Sequence, residues 1–288
     1  MPICESLLRE IEGKAVKKIV AALTALVSGT IGASAADMAV KARPPAPVAA
    51  AVYNWTGFYI GGNIGYGWGQ NTNPSISFLE PAAPVGFAGY FAAGGNAFPN
   101  LKPAGVIGGG QIGYDWQINQ FVLGAVADFQ AADIHAAATV VVTPPALATS
   151  AQTLSQRLDF LGTVRGRAGL AFNNVHLYGT GGLAYGRVRN SMTLDFAPAP
   201  FLFTGSSSEW RTGWAVGVGG EYGVGPWSIG LEYLHYDLGR SSVTAVSAPP
   251  TPAIFAASSL TATQRTAGDI VRATFNYRFG AGAVVARY

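Results

Sequence analysis

Beyond Trp55 the chain alternates, residue by residue, between apolar and polar side chains, and the charges stay off the apolar face. A period of two is the geometry of a strand, whose successive side chains point to opposite faces. Phe58, Ile60, Ile64, Tyr66 and Trp68 fall on one face and Tyr59 and Asn63 on the other. Val106, Ile112, Tyr114, Trp116 and Ile118 oppose Gln111, Asp115 and Gln117, and Phe121, Leu123, Ala125, Ala127 and Phe129 oppose Asp128 and Gln130. A fourth run sets Leu158, Phe160, Val164, Leu170 and Phe172 against Arg157, Asp159, Thr163, Arg165 and Arg167. Val175, Leu177, Leu183 and Tyr185 oppose His176, Tyr178 and Thr180, and Trp210, Trp214, Val216, Val218 and Tyr222 oppose Arg211 and Glu221. The last two runs place Trp227, Ile229, Leu231 and Tyr233 against Glu232 and Tyr236, then Val271, Ala273, Phe275, Tyr277 and Phe279 against Arg272, Thr274, Asn276 and Arg278. The pattern predicts eight strands. Asn119-Gln120, Asn173-Asn174 and Gly225-Pro226 join them as tight turns, whereas Gln70 to Pro103, Ala136 to Thr153, Asp195 to Ser208 and Ser241 to Gln264 read as long loops.

Which face meets water decides the class. Only 11% of the residues are charged, although 49% are apolar, where a water-soluble domain carries about a quarter charged. The polar set is too small to cover an exterior and suits a closed interior. There Asp115, Asp128, Arg165, Arg167, Glu221, Glu232, Arg272 and Arg278 would form a packed polar network, paired because charges away from bulk water must be. Trp55, Trp116, Phe121, Phe172, Trp227 and Phe279 near the short turns, with Trp68, Phe129, Phe160, Tyr185 and Trp210 near the loops, read as two aromatic girdles. Strands span lipid only as a closed barrel, since every backbone group there needs a partner. The expected fold is all-β, an eight-stranded antiparallel up-and-down transmembrane β-barrel over residues 55–288.

The first 35 residues read as a signal peptide: Lys14, Lys17 and Lys18 precede an apolar run from Ile19 to Ile31 and the small residues Ala33-Ser34-Ala35. Val16-Lys17-Lys18 makes an ordinary n-region by itself, so residue 16 is a candidate start. Residues 36–54, with Pro44, Pro45 and Pro47, read as a Pro/Ala-rich periplasmic tether. Cys4 lies in the leader, which leaves the exported chain without thiol chemistry. The charge of +3 comes from 18 basic and 15 acidic residues with no basic stripe, so nucleic acid is not an expected partner.

The run from Tyr53 through Asn54-Trp55-Thr56-Gly57-Phe58-Tyr59-Ile60-Gly61-Gly62 to Tyr66, the Asn276-Tyr277-Arg278-Phe279 segment and the tail ending Arg287-Tyr288 resemble the small outer-membrane β-barrel (porin-family) proteins of alphaproteobacteria. That resemblance implies an OmpA-like barrel in the outer membrane of a Gram-negative cell, with both termini periplasmic. It also implies outer-membrane lipid and the barrel-assembly machinery as partners, the latter through the C-terminal strand ending at Phe279 or Tyr288. Roles in envelope integrity and host interaction occur among such proteins, as does haem binding.

Other motifs point nowhere further. Gly108 to Gly113 satisfies G-x-G-x-x-G, but inside an alternating strand instead of before a helix. His135, His176 and His235 sit on different strands without ligand spacing, so no metal, cofactor or catalytic residue is expected. Eight strands leave an interior that side chains just fill, whereas aqueous porins need about 16 to 18. The expected role is therefore structural, with envelope or host-surface partners reached through the loops. A narrow porin-like channel for small solutes is the alternative, and a haem-binding surface protein a third.

Overall fold

The computed structural model describes residues 53–70, 74–79, 90–91, 97–144, 148–198, 201–252 and 257–279. The leader and most of the tether lie outside the described residues, as does Tyr288. Among the described residues there are nine strands: β1 (Gly57–Gly69), β2 (Ser75–Leu79), β3 (Ala104–Ile118), β4 (Phe121–Val142), β5 (Thr149–Phe172), β6 (Val175–Ala197), β7 (Phe201–Val224), β8 (Trp227–Ala248) and β9 (Ser259–Arg278). Every pairing is antiparallel. β1 pairs with β3, each later strand pairs with the next, and β9 returns to β1, which closes a ring of eight. The short β2 stands outside that ring, paired to the far end of β9 from Ser75↔Thr263 to Leu79↔Ser259.

The hairpins at one end are as tight as their residues predict. Asn119, Asn173 and Gly225 take positive φ (55°, 52° and 57°), a conformation that Asn and Gly adopt at little cost. The other end differs from expectation. Three of the four connections read as loops are strand: β4 runs to Val142, β5 starts at Thr149, β6 runs to Ala197, β7 starts at Phe201, β8 runs to Ala248 and β9 starts at Ser259. β5 alone has 24 residues, where crossing a bilayer takes about 9–11. Pro144, Pro198 and Pro249 mark the hairpin tips, because proline cannot donate to a ladder.

The long strands change chemistry halfway. From the tight turns up to Phe129, Phe160 and Trp210 the outer surface is apolar: Val164, Leu170, Leu177, Leu183, Val216, Val218, Leu231 and Phe275 are all exposed. Phe160 to Phe172 rises ~30 Å at ~3.3 Å per residue and a tilt near ~40°, enough for a hydrocarbon core. Above that line the polarity inverts. Leu154, Met192, Leu194, Phe203, Val243, Ala245 and Leu260 turn inward and are buried, while outward hydroxyls pair across strands, Ser155 with Ser191 at 2.6 Å, Ser242 with Thr263 at 2.9 Å and Thr244 with Thr261 at 2.8 Å. An outward apolar belt is the pattern of a barrel in lipid and an inward apolar core that of a sheet in water, so the ring crosses the membrane and stands out of it.

Two bulges shift the phase where the change occurs. The β5–β6 register slips between Leu158 and Phe160, and that of β8–β9 between Asp237 and Arg240, where Gly239 has φ 76°. A one-residue slip sends every later side chain to the other face. Leu158 is therefore buried at 3% exposure and Arg157 points outward with its side chain 55% exposed, the reverse of the alternation read through Phe160.

Candidate functional site

The lumen holds the chemistry. Below the bulges two sets of four charges lie inside the ring, each with two acids and two arginines, and all eight residues are buried. Near the tight turns Arg167 of β5 meets Asp115 of β3 at 2.9 Å and Glu221 of β7 at 2.9 Å, while Arg278 of β9 meets the same two acids at 2.7 and 3.3 Å. One level up, Arg165 meets Asp128 of β4 at 3.0 Å and Glu232 of β8 at 2.8 Å, and Arg272 meets Asp128 at 2.9 Å and, through Nε, Glu232 at 2.7 Å. Arg165 and Arg167 stand two residues apart on one strand, so alternation keeps both inward and gives one to each level. Each level sums to zero formal charge, which is what allows ions to persist in a low-dielectric interior.

Hydrogen bonds and π-faces of neighbours add to these clusters, although Arg272 Nη1 and Arg278 Nε are left without a hydrogen-bond partner. Thr163 donates to Asp128 through its hydroxyl at 2.8 Å and its amide at 3.0 Å. Arg167 lies over the Tyr178 ring at 4.4 Å and Arg278 over the Trp55 and Tyr59 rings at 4.8 Å. Arg278 also donates to the Trp55 carbonyl at 2.7 Å. Trp55 is thus not part of an aromatic girdle: it is fully buried and, with Tyr53, Val122 and Ala171, closes the mouth between the tight turns. Lying just before β1, it belongs to the segment entering the barrel and escapes the alternation rule that placed it outside.

Above the charges the lumen is closed again. Ile107, Leu158, Leu161, Val188, Leu234 and Ile270 form a buried apolar layer. Amides span the next level, Gln156 donating to Thr266 at 3.0 Å and Gln264 to Asn190 at 2.6 Å. Over them lies the upper apolar core, into which Tyr90 and Leu101 from the β2–β3 connection are packed, the Tyr90 hydroxyl reaching Ser150 at 2.6 Å. An enclosed cavity beside Ile134, Gln156, Tyr236 and Thr266 measures about 10 Å³, the space of one water.

The histidines are apart. His176 is buried beside Trp55, His135 is exposed beside Asp133, and His235 shares Asp269 with the Tyr233 hydroxyl on the outer face. Among the described residues no group of three or more His, Cys, Asp or Glu side chains could hold a metal ion. Three outward arginines, the exposed Arg157 and Arg189 and the half-buried Arg187, are not legible as a group, because the bulge that turns Arg157 outward has no local sequence signature.

The family model for an outer membrane protein beta-barrel domain matches residues 23–279. The 31 kDa outer-membrane immunogenic proteins of Brucella melitensis and Brucella suis are 37% identical over 237 residues, covering 80% of this chain and 90% of theirs. The 25 kDa outer-membrane immunogenic protein of Brucella abortus is 25% identical over 235 residues, 80% of this chain and 88% of its own. Among solved structures, the outer membrane protein OprG of Pseudomonas aeruginosa is similar at a TM-score of 0.38 and 13% identity, covering 78% of this chain and 97% of that one.

Proposed function

The chain belongs to the family of outer-membrane proteins built on the β-barrel domain, and from that premise we propose that it is a sealed envelope anchor displaying a rigid β-sheet surface outside the cell. The observation that carries this reading is the filled lumen: two neutral ion clusters, an apolar layer and an amide layer are stacked along the one path a solute could take. Specificity then belongs to the sheet and hairpin tips beyond the membrane. The naming of the Brucella relatives as immunogenic proteins supports surface display. No catalysis is assigned to it, and both termini are placed in the periplasm.

Reconstitution in a planar bilayer tests the seal. The protein extracted from outer membranes is expected to give no unitary current steps while migrating as a folded, heat-modifiable species. Discrete, salt-dependent steps would instead establish a narrow solute channel and end the anchor reading.

Orientation has its own test. Lys102 is exposed beside the buried Leu101 at the end remote from the tight turns. A membrane-impermeant amine reagent applied to intact cells is expected to label it, and Lys102→Arg to abolish that label. Labelling only after permeabilisation would invert the barrel.

A further inference from the structure

On the outer face, just above the apolar belt, a groove of about 530 Å³ runs across β5, β6 and β7, lined by Arg157, Arg187, Arg189, Ser191, Ser206 and Ser208 among others. Its charges are unbalanced in a way the lumen's are not. Arg157 and Arg189 are direct register partners, and like charges opposed on adjacent strands repel. Asp159 bridges them, 3.1 Å from Arg157 Nε and 2.6 Å from Arg189 Nε, and Asp133 takes one more bond from Arg157 at 3.1 Å. Arg187 has no such partner: among the described residues it makes no ion pair, and its Nε donates to the Ser208 hydroxyl at 3.1 Å. Its guanidinium thus keeps both terminal nitrogens for an acceptor from outside.

The position says what that acceptor is attached to. Arg187 is in register with Phe160 on one side and Trp210 on the other, and those rings are stacked 6.5 Å apart at 15°. Below them the surface is Val164, Leu183 and Trp214, all exposed; above lie the serine hydroxyls. A ligand seated here has an anionic, hydrogen-bond-accepting head at the level of the arginines and an apolar body along the belt. Guanidinium groups and hydroxyls together match a phosphate, whose oxygens accept several bonds at once.

We propose that this groove is a binding site for the phosphate of an outer-leaflet lipid, with Arg187 as its principal contact, Arg157 and Arg189 supplying the field and the serines the neutral donors. The bound lipid would meet the charge of Arg187 and fasten the barrel at one height in the leaflet.

The test uses the whole protein, extracted in a neutral detergent, and a fluorescent phosphatidic acid as probe, with phosphatidylcholine as the zwitterionic control. Saturable binding of phosphatidic acid is expected. Arg187→Gln is expected to weaken it roughly tenfold or more, the effect of a lost hydrogen bond to a charged group. Arg240→Gln, an exposed outward arginine on β8, should change it by no more than about twofold, as for a remote surface charge. Equal losses in the two variants would reduce the site to diffuse attraction and overturn the proposal. Full displacement of the lipid by millimolar inorganic phosphate would assign the groove to the free anion and overturn the lipid assignment. Both variants lie outside the buried clusters, so unchanged heat-modifiable mobility reports that each has folded.

Discussion

Glu232→Gln is expected to destabilise the barrel by about 3–5 kcal/mol, the cost of breaking a buried ion pair from one side. The side chain is 3% exposed and accepts from both Arg165 and Arg272. With the carboxylate gone, Asp128 alone faces two guanidiniums and one positive charge is left uncompensated inside the ring. Denaturant unfolding in vesicles, followed by tryptophan fluorescence, gives the number. Glu209→Gln is the control, since that carboxylate is 41% exposed and its pairing with Arg211 is long at 3.6 Å; an exposed pair contributes at most about 1 kcal/mol. Adding Arg272→Met to Glu232→Gln restores a one-to-one balance between Asp128 and Arg165, so the double variant should be more stable than the sum of the single losses by about 0.5–3 kcal/mol. If Glu232→Gln unfolds with the parent, the lumen is hydrated and the charges do not hold the wall together.

The second expectation separates the two halves of one strand. Val218 and Ser206 both lie on β7, both point outward and both are exposed. Val218→Arg is expected to cost about 2–4 kcal/mol, because it places a cation on the lipid face near mid-height. Ser206→Arg is expected to stay within about 0.5 kcal/mol, as substitutions on a watered surface do. Equal costs would put the whole length of β7 in one medium and remove the boundary drawn at Phe160 and Trp210. The same contrast bears on the phosphate groove, which lies on that boundary.

The alternation carried much of this. A period of two is set by the geometry of adjacent residues, so a short window is enough to assign a face, and the shortage of charge says which face meets lipid. Tyr59, Asn63, Gln111, Asp115, Asp128, Arg165, Arg167, Glu221, Glu232, Arg272 and Arg278 are inward and buried, each on the polar side of its own strand. The prolines at the hairpin tips also carried information: Pro144, Pro198 and Pro249 sit inside the connections read as loops, as they would between paired strands. The alternation on either side of them has inverted polarity, so it does not read as a continuation of the lipid-facing strands. Leu154, Met192 and Leu194 face inward there and Ser155, Ser191 and Thr193 outward.

What the sequence by itself determined is the number of strands in the ring, their order, and the inward or outward sense of side chains between the tight turns and the bulges, all consequences of local geometry under the rule that lipid admits no unpaired edge. Only the tertiary structure decided which charge meets which. Arg272 reaches Asp128 across 144 positions and Arg278 reaches the Trp55 carbonyl across 223, distances that closure of the ring and the stagger of its strands set, and that no local pattern encodes. It also decided the phase slips at Leu158–Phe160 and Asp237–Arg240. A bulge is stabilised by its partner strand, so Arg157 faces outward through a pairing with β6 that its own neighbours in sequence do not announce.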